Sequence, residues 1–252
     1  MASYKHGVYT KETPTSLIPT TEVLSAVPFV VGIAPVNMVE TPSVNEPKLC
    51  YSYAEAVEYF GMETPTVKDG SGGLKVYDYS LSEFIYSTFN YYGNTPIILV
   101  NVLDPTKHKK TADTVSITVD AKTGQATIAE FGILPKSLTI TNPDGEPSNY
   151  TEGVDYITSF DDDGFLVIAS LRDDETDEFK LKTGQALTVA CEKLDPTMIE
   201  TADIIGGVDV EGNKKGLELI SDVYPKLRVI PTLILAPQWS TDPEVAAVMA
   251  TN

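Results

Sequence analysis

Two continuous apolar runs, Val27-Pro-Phe-Val-Val-Gly-Ile-Ala34 and Pro96-Ile-Ile-Leu-Val-Asn-Val-Leu103, constrain the fold of this 252-residue chain more than any other feature. A strand that is apolar at successive positions has to be covered on both faces, as the central strands of an α/β sheet are. The sequence between the runs predicts two helices. Ser52-Tyr-Ala-Glu55 and Ser80-Leu-Ser-Glu83 read as capping boxes, in which the serine hydroxyl accepts a free helix N–H and the glutamate reaches back to another. Gly61 and Gly93 are the matching stops. In the second helix Leu81, Phe84, Ile85, Thr88, Phe89 and Tyr92 follow helical spacing and form an apolar face. Strand, helix and strand in this order imply an α/β layer.

Residues 105–200 have another texture. Thr114–Asp120, Gln125–Glu130, Ser137–Asn142, Asp155–Phe160, Phe165–Ala169 and Ala186–Cys191 are short segments, most alternating apolar and polar with period two. Lys-Thr-Gly, Pro-Asp-Gly and Asp-Asp-Gly turns separate them. This is the pattern of an antiparallel sandwich or barrel. After Pro196 the α/β texture returns: a helix over Lys215–Tyr224, a buried strand over Val229–Ala236, and a helix over Asp242–Met249 opened by an aspartate cap and a proline. An apolar helix with no returning strand leaves the parallel sheet unfinished, so the chain reads as the front part of a longer protein.

Residues 1–20 alternate small apolar groups with threonine, lysine and proline, and have no local hairpin partner. Two readings stand: a terminus or edge strand of its own unit, or an arm that adds to another subunit's sheet. The expected organisation is therefore an arm (1–20), a discontinuous and incomplete α/β core (21–104 and 201–252), and an inserted all-β domain (105–200).

The formal charge of −18 works against binding to nucleic acid or anionic membranes. Residues 105–200 hold half of the acidic side chains. The one basic cluster, Lys107-His108-Lys109-Lys110, sits beside a proline turn and reads as a solvated loop. The N-terminus lacks a signal-peptide apolar region and no run is long enough to span a bilayer, so a soluble protein made in the cytoplasm is expected. Cys50 and Cys191 form neither a disulfide framework nor a metal motif and read as structural.

A search for chemistry is thin. His6 lies in the arm and His108 in the basic turn, and there is no Gly-x-Ser-x-Gly or His-Glu-x-x-His. The spacing Gly207-x4-Gly212 resembles a phosphate-binding loop, yet Asn213 occupies the lysine position and Asp209 and Glu211 bring negative charge. A tight strand-to-helix loop is the default for Gly206–Gly216. Asp161–Asp163 and Asp173–Glu178 are acidic enough for calcium but lack its loop pattern, and read as solvated turns. No cofactor, metal or catalytic residue is expected.

Three stretches carry a family resemblance: His6–Glu12 with Val30–Ala34; Tyr150–Ile157 with Asp163–Ile168; and Asp203–Asp209, Lys215–Ile220, Pro231–Ser240 and Val245–Val248. In this order they resemble the contractile tail sheath proteins of bacteriophages and related contractile injection systems. The resemblance implies a structural subunit that polymerises around a tail tube and contracts to drive it through a cell envelope. Its implied partners are neighbouring sheath subunits and the tail tube protein, without nucleic acid or membrane insertion. Gly7, Val8, Tyr9, Thr10, Lys11 and Glu12 would form the arm exchanged between subunits, and the β domain would face outward. The implied location is the host cytoplasm during assembly, then the virion tail. Family members continue with more core and a C-terminal arm, so this chain corresponds to an N-terminal portion and is expected to be monomeric. The competing reading is an adhesin-like β domain recognising a cationic or calcium-bridged ligand; a nucleotide enzyme using Gly206–Gly216 is the third.

Overall fold

A computed structural model describes residues 26–67, 75–142, 144 and 149–252. The arm at 1–20, with His6 and Gly7 to Glu12, lies outside the described residues.

The first run of elements is β1 (Pro28–Gly32), β2 (Lys48–Cys50), α1 (Tyr53–Phe60), β3 (Thr66–Val67), β4 (Lys75–Val76), α2 (Ser80–Ser87), a π-helical turn (Thr88–Tyr92) and β5 (Ile97–Asn101). A second run of strands follows: β6 (Lys109–Thr111), β7 (Val115–Thr118), β8 (Gln125–Ile128), β9 (Thr139–Thr141), β10 (Tyr156–Phe160), β11 (Leu166–Ser170), β12 (Ala186–Ala190) and β13 (Glu192–Leu194). The chain then forms α3 (Thr201–Ile205), β14 (Gly207–Val208), β15 (Lys214–Lys215), α4 (Ile220–Leu227), β16 (Leu233–Leu235) and α5 (Pro243–Thr251). The fold is thus a mixed α/β one.

The main sheet has the order β16-β1-β5-β2, parallel through the first three strands and antiparallel at β2. Every residue of β1 and β5 is buried, as their unbroken apolar runs require. Asn101 is the polar exception. Its Oδ1 accepts from the N–H groups of Ala34 and Leu103, and its Nδ2 donates to the carbonyls of Ser43 and Leu103. A buried amide so fully partnered fixes how the strand ends of β1 and β5 meet.

The two capping boxes fare differently. Ser52 caps α1 by accepting from the Glu55 N–H, while the Glu55 carboxylate accepts from Tyr51, one residue before the cap. At α2 the box does not form. Ser80 is already helical and buried, and its hydroxyl accepts from Ile33 N–H at the end of β1. The buried Glu63 carboxylate takes the start of α2 instead, accepting from the N–H groups of Asp78 and Tyr79. The predicted apolar face also stops short, because the helix widens to a π turn over Thr88–Tyr92 and leaves Tyr92 exposed.

Residues 115–190 form two three-stranded antiparallel sheets, β10-β11-β8 and β7-β12-β9. Alternate residues of β12 point inward, Leu187 and Val189 buried and Ala186, Thr188 and Ala190 exposed. The sheets are separate ladders and close no barrel among the described residues. They share one cluster of buried side chains, including Ile128, Ile140, Tyr156, Ile168, Leu187 and Val189. A second cluster joins β1, β5, α1, α2 and the segments after residue 194. Between the clusters β6 pairs with β13, so the outgoing and returning chains run side by side as an antiparallel stem.

The segment 229–236 departs from expectation. Only Leu233–Leu235 is strand, and Leu233 is about half exposed at 52%. Among the described residues it pairs with β1 on one side alone.

Candidate functional site

Edge strands present a row of unpaired backbone groups, and among the described residues β16 is such an edge. Its sequence, Leu-Ile-Leu, carries no charge to discourage pairing. Ile230 is 66% exposed beside it. A shallow groove runs along this edge, walled by Leu233 and Ile234 on the sheet and by Ala246 and Met249 on α5. Nearby, the indole Nε1 of Trp239 is buried without a hydrogen-bond partner among the described residues. Helix α5 is set against the groove by Asp242, whose carboxylate accepts from Glu244 N–H and from the Thr201 hydroxyl. Those bonds hold the Asp242 carboxyl below the usual aspartate range, the Thr201 hydroxyl foremost. Chemically, this surface offers backbone hydrogen bonds and apolar contact and no reacting group. The sequence reading assigned Val229–Ala236 to a buried strand and so missed the edge. Pro231 and Pro237, flanking the strand, are the signal that favours an edge.

The basic cluster is neutralised in place. Lys109 pairs with Glu192 at 2.6 Å and Lys110 with Asp195 at 3.0 Å, both across the stem. Lys107 reaches Asp104 at 3.9 Å. His108 accepts at Nδ1 from Asp104 N–H and stands with Nε2 4.0 Å from Asp203 on α3, so it joins the stem to the core. These side chains form an ion-paired root for the β strands.

The glycine-rich segment is a hairpin. β14 and β15 pair, and the Asp209 carboxylate accepts from the N–H groups of Glu211 and Asn213 in the turn. The Asn213 N–H foremost holds the Asp209 carboxyl below its usual range. Backbone N–H groups that a phosphate would need are thereby occupied by a carboxylate. Gly206 and Gly216 cross so closely that a Cβ on Gly206 would sit 1.8 Å from the Lys215 carbonyl oxygen.

The acidic loops use their carboxylates in the same way. Asp161 accepts from the N–H groups of Asp163 and Phe165, and Asp173 from those of Glu175 and Thr176. Among the described residues no group of three His, Cys, Asp or Glu side chains is arranged to hold a metal ion. Cys50 and Cys191 are free and buried; burial, followed by the charge of Glu55, pushes the Cys50 thiol up to about 12. Among the described residues no helix is long and apolar enough to cross a membrane.

No protein-family model matches the chain. It is 28% identical over 251 residues to the tail sheath protein of Burkholderia phage BcepMu, an alignment that takes in 97% of this chain. The chain spans 45% of the length of that relative. Along almost its whole length, the chain is similar to a bacteriophage tail sheath protein.

Proposed function

We propose that this chain is the N-terminal portion of a contractile tail sheath subunit, which polymerises around a tail tube and shortens to drive the tube through a cell envelope. The observation that carries the reading is the alignment with a tail sheath protein over nearly the whole chain. Its partners are neighbouring sheath subunits and the tail tube protein, and it acts in the virion tail after assembly in the host cytoplasm. It has no catalytic role.

Two features of the fold support the division of labour between core and insert. The described residues of 21–104 and 201–252 form an α/β core, to which, among the described residues, the edge of β16 and the unpartnered Trp239 Nε1 give an incomplete boundary. The segment 105–200 is an inserted β-sandwich domain, with its own cluster of buried side chains and the β6–β13 stem as its root. The arm, Gly7 to Glu12, links subunits by adding to a neighbour's sheet, since backbone hydrogen bonds hold an extended mesh together while subunits rotate. No nucleotide is required: contact free energy differs between the two arrangements of the array and is summed over many subunits.

The test is made on the full-length subunit that contains this chain, viewed by negative-stain electron microscopy. The intact subunit is expected to form tubes. Deletion of residues 1–20 is expected to leave a folded monomer that forms none; tubes of normal length would refute the assignment of the arm. Excision of the insert is best limited to 112–191, because Leu194 and Ile199 pack into the core cluster and the stem should be kept. That variant is expected to retain helical circular dichroism and to assemble.

A further inference from the structure

A run of aromatic rings crosses the surface formed by α2 and the π turn that follows it. Tyr77, just after β4, packs on Tyr86 of α2 with ring centroids 6.4 Å apart. Tyr86 in turn meets Tyr91 of the π turn edge to face, at 5.6 Å and 82°. Tyr86 is 37% exposed, Tyr91 73% and the adjacent Tyr92 80%. The π turn makes the run continuous. In an α-helix residue 91 would stand about 140° around the axis from residue 86, and the wider turn over Thr88–Tyr92 brings the two rings together.

The setting of the rings is negative. Glu83 precedes Tyr86 by three residues, so the two share a face of α2. It is exposed and, among the described residues, enters no ion pair. Burial foremost, then the hydroxyls of Tyr86 and Tyr53 and the carboxylates of Glu63 and Glu83, push the Tyr77 phenol up to about 12. A surface that resists one more negative charge favours a positive one.

A cation gains from the face of a tyrosine and from a carboxylate beside it. Guanidinium suits this pair better than ammonium, because its plane stacks on a ring while its N–H groups fork onto a carboxylate. The two arginines of the chain are already engaged, Arg172 with Phe179 and Asp177 and Arg228 with Tyr224, so a second copy does not supply the group. A formal charge of −18 draws a cationic partner in.

We propose that the surface of Tyr77, Tyr86 and Tyr91 is a docking site for an arginine-bearing segment of a partner protein, with the guanidinium on the rings and its N–H groups on the Glu83 carboxylate. This docking goes beyond the sheath reading and does not depend on it.

The experiment is a nuclear magnetic resonance titration of the chain, carrying 13C-labelled tyrosine, at ~0.15 M salt, where long-range attraction to its negative surface is screened. The probes are a blocked Gly-Arg-Gly-Arg-Gly peptide and its counterparts with citrulline, which keeps the planar group and loses the charge, or with lysine. Saturable shifts of the Tyr77, Tyr86 and Tyr91 signals are expected with the arginine peptide. The citrulline peptide should bind at least ~10-fold more weakly, the margin expected of charge-assisted contact, and the lysine peptide should also bind more weakly. Glu83→Gln and Tyr86→Leu should each weaken arginine binding ~2- to 5-fold, and Asp174→Asn, on an exposed turn of the β strands, should leave it unchanged. Should Tyr86→Leu disturb the fold, Glu83→Gln and the citrulline peptide still decide. Binding of the citrulline or lysine peptide as tight as that of arginine, an equal effect of Glu83→Gln and Asp174→Asn, shifts confined to other tyrosines, or no saturable binding would overturn the proposal.

Discussion

The two hydrophobic clusters of this molecule are built on different rules. Around Ile140 and Val189 the strands alternate, each presenting one apolar face to its own cluster and one polar face to water, so the two sheets complete their burial between themselves. Around Phe29 and Leu99 the strands are buried on both faces and need helices above and below, together with a strand on each side. The main sheet meets that need at β5 and fails to at β16, where Leu233 is open to solvent. A unit of the first kind can be inserted into another fold with little consequence. One of the second kind is only as complete as the elements that surround it.

Core truncation should separate the two clusters most strongly. Phe29→Ala removes a fully buried side chain from the central strand, and a cost of about 3–5 kcal/mol is expected. Trp239 is the only tryptophan and packs against the same cluster, so its fluorescence follows the core through a urea titration. The expected result is a lowered midpoint for Phe29→Ala and an unshifted tryptophan transition for Ile140→Ala. A shift of equal size in both variants would show that the clusters unfold as one unit.

Glycines sharpen the contrast at a smaller scale. Gly206 in the core hairpin and Gly153 in the β strands have similar φ values, +75° and +79°, yet only the first has backbone where its Cβ would go. Gly153→Ala should cost about 1–2 kcal/mol, the penalty of left-handed backbone alone. Gly206→Ala should cost about 3 kcal/mol or more, because the Lys215 backbone has to move. Thermal melts of the two variants measure the difference.

Acid should weaken both parts through the same device. Asp120 and Asp173 in the β turns have lowered pKa values because backbone N–H groups of the turn, those of Thr123 and Thr176 foremost, donate to the ionised carboxylate. In the core Asp209 is lowered foremost by the Asn213 N–H, and Asp242 by the Thr201 hydroxyl and then the Glu244 N–H. A folded-state pKa below the unfolded value stabilises fully above the unfolded value, and that contribution is lost as pH falls through the folded one. The melting temperature should therefore fall below the ordinary aspartate range, and Asp173→Asn should flatten the acid limb slightly. A melting temperature independent of pH across that range would refute the role given to these turns. The smallest effect is expected for Lys182→Ala, which breaks an exposed pair with Asp144 and should stay within ~0.5 kcal/mol in the same melts.

Much of the architecture was legible because it depends on local period. The alternation of residues 186–190 and the unbroken apolarity of 28–32 and 97–101 are properties of the chain itself, and the strands lie where those patterns stand. The aspartate and proline at the start of α5 also read correctly, since a cap is a contact within a few residues. Ser80-x-x-Glu83 has the same local form and failed. Its serine hydroxyl accepts instead from the N–H of Ile33, just beyond β1 and 47 residues away in sequence. Likewise, Val229–Ala236 has the composition of a buried strand, and apart from the flanking Pro231 and Pro237 no local signal says whether another strand will lie beside it.

By itself, the sequence determined the two kinds of strand, the order in which they alternate along the chain, the excess of negative charge and the tail-sheath resemblance. Each of these is carried by neighbouring residues or by composition. Only the tertiary structure decided that β6 and β13 form a stem whose lysines are spent on ion pairs, that the glycine-rich segment is a hairpin with turn N–H groups bonded to Asp209, and that β16 is an edge among the described residues. Those outcomes turn on which groups meet across distances of many residues, and a hydrogen bond or an ion pair is settled by that meeting rather than by the residue's own preference.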